Sequence, residues 1–90
     1  MSVNIKVATY LQPYIGGKEN LEVEGKTVRE CLNHLVVQFP EMKEMLFDKD
    51  GKLLDYISVF ISGDVAFEDQ IDNPVKDGDI LTILYVIGGG

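Results

Sequence analysis

Cysteine and histidine each occur once in this 90-residue chain, as Cys31 and His34, and eight basic side chains stand against fifteen acidic ones. A lone cysteine cannot close an internal disulfide, and with one histidine it falls short of a structural zinc site, so no metal is expected. The net charge of −7 leaves too few cations to track a phosphate backbone; it argues against nucleic acid and against ATP held by this chain. No apolar run approaches the ~20 residues of a membrane span. The start, Met1-Ser2-Val3-Asn4-Ile5-Lys6, lacks the basic stretch and long apolar core of a signal peptide. A cytoplasmic protein with no membrane partner is the expectation. Ninety residues give room for one core and not two, and 46% hydrophobic with 26% charged residues is the composition of a folded domain. The acidic excess serves solubility and would also speed encounter with a basic protein partner.

What the chain does contain is pattern. Val3, Ile5 and Val7 alternate with polar residues at period two, predicting a first strand over Val3–Ala8 with those three facing the core. A loop is expected over Tyr10–Lys18, around Pro13 and the Gly16-Gly17 pair, and a second strand at Leu21 and Val23. Thr27-Val28-Arg29-Glu30 reads as a capping box. Apolar residues follow at 28, 31, 32, 35, 36 and 39, a helical stripe that should stop at Phe39, because Pro40 disfavours helical geometry in the residue before it. Cys31 lies on that stripe as a small core residue; His34 falls off it and should face solvent. A short helix or turn is expected over Glu41–Phe47, with Met42, Met45 and Leu46 inward, then a polar turn over Asp48–Lys52. Tyr56–Ile61 is a strand, a short one is expected near Val65–Phe67, and Asp77-Gly78-Asp79 turns into the apolar final strand Ile80–Val86. One helix across one face of a mixed sheet of four to five strands, the first and last strands parallel at its centre, is an α+β arrangement of the β-grasp (ubiquitin-like) type. Residues 1–87 form the domain and 88–90 a flexible glycine tail.

Two stretches mimic ligand sites and fail. Gly25-Lys26-Thr27 resembles the end of a phosphate-binding loop, but the glycine needed five positions earlier is Asn20, and Glu22 and Glu24 would repel phosphate. Asp48 and Asp50 suggest half a calcium loop, yet Lys52 sits where a third oxygen ligand belongs. No serine–histidine arrangement or carboxylate pair stands beside a plausible nucleophile, so catalysis by this chain is not expected.

The remaining oddity is the end, Gly88-Gly89-Gly90, which folding does not call for, since glycine weakens ordered segments. Four residues past Val86 can reach about 13 Å at ~3.3 Å each. Lacking side chains, they could enter a narrow channel and present the Gly90 carboxylate to ATP in another protein. In this respect the chain resembles the MoaD/ThiS/CysO group of ubiquitin-like sulfur carriers over nearly its full length. The resemblance rests on Leu11-Gln12-Pro13 with Gly16-Gly17, Gly25-Lys26-Thr27-Val28 with Leu32 and Leu35, and Asp48 with Gly51-Lys52-Leu53. It continues through Lys76-Asp77-Gly78-Asp79, Leu81-Thr82-Ile83-Leu84 and Gly89-Gly90. The first-loop pattern is most similar to the CysO-like and archaeal MoaD-like branch. It implies that an E1-like adenylating enzyme of the MoeB/ThiF type, supplying ATP and magnesium, activates Gly90. A sulfur donor then gives a thiocarboxylate for a downstream synthase in molybdopterin, thiamin or cysteine biosynthesis, and the chain itself binds no cofactor. Relatives often carry proline after the last strand and alanine before the diglycine; Tyr85 and Gly88 stand there here.

Strand parity also suggests a docking surface. With Ile57, Val59 and Ile61 toward the helix, Phe60 points away; with Leu81 and Ile83 inward, Thr82 and Leu84 point out. Phe60, Thr82 and Leu84, with Tyr10 near the edge, should form an exposed partner-binding patch on the free sheet face. Two other functions fit the same pattern: a ubiquitin-like modifier forming isopeptide bonds through Gly90, and a β-grasp adaptor that makes no use of its tail.

Overall fold

In the computed structural model, which describes residues 2–62, 64–65 and 70–85, the first period-two stretch is strand β1 (Ser2–Val7), with Val3, Ile5 and Val7 buried. Strand β2 (Asn20–Glu24) returns antiparallel to it with Leu21 and Val23 inward. Helices α1 (Val28–Gln38) and α2 (Met42–Leu46) follow, then strands β3 (Ile57–Ile61), β4 (Asp64–Val65) and β5 (Ile80–Tyr85). The sheet order is β2-β1-β5-β3-β4, with β1 and β5 parallel at the centre and the other neighbours antiparallel. Helix α1 covers one face, and Val28, Cys31, Leu32 and Leu35 join Ile5, Val59, Leu81 and Ile83 in one core. This is the β-grasp fold.

The start of α1 shows why Gly25-Lys26-Thr27 is structural. The Glu30 N–H donates to Thr27 Oγ1 at 3.2 Å, and the Val28 N–H donates to the Asn73 carbonyl at 3.0 Å. The Glu30 carboxylate accepts from the Lys26 N–H at 3.1 Å, one residue earlier than a strict capping box would have it. Donors that a phosphate would need are therefore already engaged. Gly25 is required for a different reason: a Cβ there would stand 2.8 Å from the Cys31 backbone nitrogen and 2.9 Å from its Sγ. At the other end, Phe39 caps the helix ahead of Pro40.

Several expectations need correction. Within the loop expected over Tyr10–Lys18, residues Thr9–Ile15 form a 3-10 helix, and Leu11 and Ile15 are fully buried. A period-three pattern of this length is easily lost beside Pro13, whereas Gly16 and Gly17 end the segment at φ 73° and 78° as turn glycines should. His34 does not simply face solvent: its Nδ1 accepts the Glu24 N–H at 2.8 Å, tying α1 to edge strand β2. The short strand is Asp64–Val65, while Phe67 and Val86 lie outside the described residues. The Asp48 carboxylate accepts from the N–H groups of Asp50 at 2.8 Å and Lys52 at 3.0 Å, which is a turn using its own aspartate and not a calcium loop.

Gly25→Ala should cost about 1–3 kcal/mol, because backbone atoms must move to admit the methyl group, and Thr27→Ala about 1 kcal/mol through the lost cap. Urea denaturation of both variants measures this; equal, near-zero changes would refute the packing account.

Candidate functional site

The sheet face turned away from α1 is determined by strand parity and by register. Cα partners line up as Asn20–Lys6–Thr82–Phe60 in one row and Glu22–Asn4–Ile80 in the next, with Leu84 opposite Ser58. The β2/β1 half of this face is therefore polar and acidic, with Glu22 and Glu24 exposed on the edge strand. The β5/β3 half is apolar: Leu84 is 38% and Ile80 37% exposed, and Thr82 is half-buried.

Phe60 differs from expectation, being half-buried and not exposed. Strand β3 is not an edge: β5 pairs with one side of it (Phe60↔Thr82) and β4 with the other (Phe60↔Val65), so neighbouring strands shelter Phe60 on both flanks. Ile80 was missed, although the alternation that turns Thr82 and Leu84 outward turns it outward as well. The expected patch thus gains a residue and is less prominent at its phenylalanine.

Topology also shows where the last strand delivers the chain. Because β5 runs parallel to β1, Tyr85 emerges at the end where β1 passes into the Thr9–Ile15 segment, and the Ala8 N–H donates to the Ile83 carbonyl at 3.2 Å. Tyr10, 39% exposed, belongs to that segment; Tyr56, 40% exposed, immediately precedes Ile57, whose partner is Tyr85. Exposed Tyr10 and Tyr56 therefore lie at the sheet end where β5 finishes. Gly88, Gly89 and Gly90 lie outside the described residues.

Chemically the face offers contact and little else. Lys6, Glu22 and Glu24 are its charged groups, and among the described residues no three His, Cys, Asp or Glu side chains are grouped so as to hold a metal ion. Cys31 is fully buried against the sheet side of α1. Burial first, and the nearby Glu30 charge second, push its thiol up to about 11, so it stays protonated at neutral pH and is shut off from any reactant. No described helix is long and apolar enough to cross a membrane.

Comparison with known proteins adds to this geometry. The sequence model of the ThiS family matches residues 5–90. The sulfur carrier protein CysO of Mycobacterium tuberculosis is 29% identical over 93 aligned residues, which cover 100% of both chains. Among solved structures, a chain of the Amycolatopsis orientalis BexX/CysO complex superposes with a TM-score of 0.87 at 31% identity, covering 98% of this chain and 99% of that one. SAMP1 from Haloferax volcanii gives 0.85 at 27% identity over the whole of both chains.

The raised Cys31 thiol predicts a pH effect whose sign follows from linkage. Folding holds the thiol proton more tightly than the unfolded chain does, so the contribution is intact below pH 9.0 and is lost as pH rises through about 11. Denaturant midpoints measured across that window should fall for the native chain and fall less for Cys31→Ala. Parallel curves would show that Cys31 does not carry the effect.

Proposed function

The chain belongs to the ThiS family, and on that footing we propose that it is a sulfur carrier whose C-terminal glycine carboxylate is the working group. The observation that carries this reading is the placement of β5. It is a central strand whose residues Ile80, Thr82 and Leu84 lie on the free sheet face, and in the sequence it precedes Gly88-Gly89-Gly90.

The chemistry follows from the properties of a carboxylate. An E1-like adenylating enzyme of the MoeB/ThiF type binds ATP and magnesium; the Gly90 carboxylate attacks the α-phosphorus, forming the acyl-adenylate and releasing pyrophosphate. A hydrosulfide-level sulfur nucleophile then adds to the acyl carbon, AMP leaves, and the thiocarboxylate remains. This chain is the substrate and handle of these steps, not their catalyst, and it binds no cofactor of its own. Its contributions are steric and cohesive. Glycines let the backbone approach the nucleotide closely, and the Phe60, Thr82, Leu84 and Ile80 surface, with Tyr10 beside it, holds the enzyme while the tail reacts. The dependence on ATP fits a cytoplasmic location. The product would pass its sulfur to a synthase of cysteine or cofactor biosynthesis, in keeping with the likeness to CysO.

The likeness to SAMP1, small archaeal modifier protein 1, also fits a second reading: the same adenylate attacked by a lysine amine would give an isopeptide conjugate. Intact mass of protein recovered from cells separates the two. Replacement of one oxygen by sulfur marks a carrier, whereas covalent adducts to other proteins mark a modifier.

Two outcomes test the lead reading. Deletion of Gly89 and Gly90 should abolish pyrophosphate release with the cognate adenylating enzyme and leave the melting temperature unchanged. Leu84→Ala should weaken binding to that enzyme by about tenfold, as expected for losing an apolar anchor of roughly 1–2 kcal/mol. Undiminished pyrophosphate release from the truncated chain would end the proposal; normal binding by Leu84→Ala would end only the docking part of it.

A further inference from the structure

On the far side of the molecule from the free sheet face, α1, α2 and the turn after α2 enclose a groove of about 380 Å³ that the sulfur chemistry does not use. Arg29, Asn33, Val36 and Val37 line it from α1 at spacings of four, three and one, which bring them to one side of the helix. Lys43 and Phe47 form the opposite wall, and Gly51 opens one margin.

The lining groups have little to do within the fold. Val37 is 76% exposed, the most exposed large apolar side chain among the described residues, while Val36 and Phe47 are only partly covered. The side chains of Asn33 and Lys43 make no hydrogen bond or ion pair among the described residues. Arg29 donates from Nε at 3.2 Å and Nη2 at 3.1 Å to a single oxygen of Asp72, which steadies the guanidinium and leaves Nη1 unengaged there. In a chain with fifteen acidic residues against eight basic ones, this groove presents two cations and none of its described lining residues is acidic.

We propose that the groove is a docking site for a short acidic–apolar peptide segment of a partner protein. Its apolar residues would cover Val36, Val37 and Phe47, and carboxylates flanking them would meet Arg29 and Lys43. The volume is within the range of small ligand sites, and exposed apolar surface bounded by polar groups is what a recognition site presents. The charge argument selects the partner. In a chain of net charge −7, a lining with two basic side chains and no described acidic one is the local exception. Lys43, which has no ion pair among the described residues, and the Nη1 of Arg29, whose other donors hold Asp72, are the groups an acidic segment would meet there. Asn33, between the two ends, offers an amide to the bound backbone. A groove on the helix side leaves the free sheet face uncovered, so partners at the two places could be bound together.

Titration of the ¹⁵N-labelled full chain with acetyl-Glu-Ile-Leu-Glu-amide tests this by amide shifts. Shifts should cluster at Arg29, Asn33, Val37, Lys43 and Phe47, and acetyl-Lys-Ile-Leu-Lys-amide should leave those amides still. Lys43→Glu should weaken the acidic peptide by roughly three- to tenfold, the scale of one exposed ion pair reversed. Val37→Ser, at an exposed site that folding does not need, should weaken it without altering the melting temperature. Absence of shifts in the groove, equal shifts from the two peptides, or reproduction of the shifts by inorganic phosphate would each overturn the proposal. Deleting Gly89 and Gly90 should leave peptide binding unchanged, which separates this site from the sulfur-carrier reading.

Discussion

The parallel pairing of β1 with β5 is the contact on which the rest of the structure depends. It joins residues far apart in sequence, with Asn4 beside Ile80 and Val7 beside Ile83, and places the buried Val3, Ile5, Val7, Leu81 and Ile83 side by side at the middle of the sheet. The turn before β5 sets their register: the Gly78 N–H donates to the Ser2 carbonyl at 2.8 Å, the Ser2 N–H to Asp77 Oδ1 at 2.8 Å, and the Asn4 N–H to the Asp79 carbonyl at 3.0 Å. A slip by one residue would turn Leu81 and Ile83 away from α1 and put Thr82 into the core. The same register ends β5 beside the Thr9–Ile15 segment, so the core and the place where this strand finishes follow from one set of backbone hydrogen bonds.

The junction between β2 and α1 shows how residues that look chemical can be consumed by folding. Gly25 is small so that the chain can pass the Cys31 backbone, and Thr27 accepts from the first turn of the helix. Residues 73 to 75 seal the helix entry: Asn73 accepts from Val28, and the Val75 N–H donates to the Lys26 carbonyl at 2.9 Å. Cys31, the only thiol, is enclosed there with its proton held on. In a carrier of sulfur this separation has a use, since a buried, protonated thiol does not compete with a terminal thiocarboxylate for electrophiles.

Among the described residues, apolar surface that the core does not absorb includes the β5/β3 half of the free sheet face and the groove beside α1. They lie on opposite sides of the sheet–helix sandwich and differ in charge. The sheet face is bordered by Glu22 and Glu24, the groove by Arg29 and Lys43. Surfaces of different character can engage different proteins without excluding one another.

Local pattern alone specified the elements whose period is strong. The alternation of Val3, Ile5 and Val7, the stripe from Val28 to Leu35, and the stop ahead of Pro40 each report a backbone period directly, because burial selects one face of one element. The outward parity of Thr82 and Leu84 was legible for the same reason, whereas the resemblance carried by the terminal glycines rested on residue identity. What the tertiary structure alone decided depends on neighbours distant in sequence. Phe60 is sheltered because β4 and β5 flank it, His34 accepts from Glu24 because α1 crosses the end of β2, and Leu11 and Ile15 are buried because α2 packs beside their short helix. The groove joins Arg29 to Lys43 across two helices, and no one-dimensional period encodes a distance between separate elements.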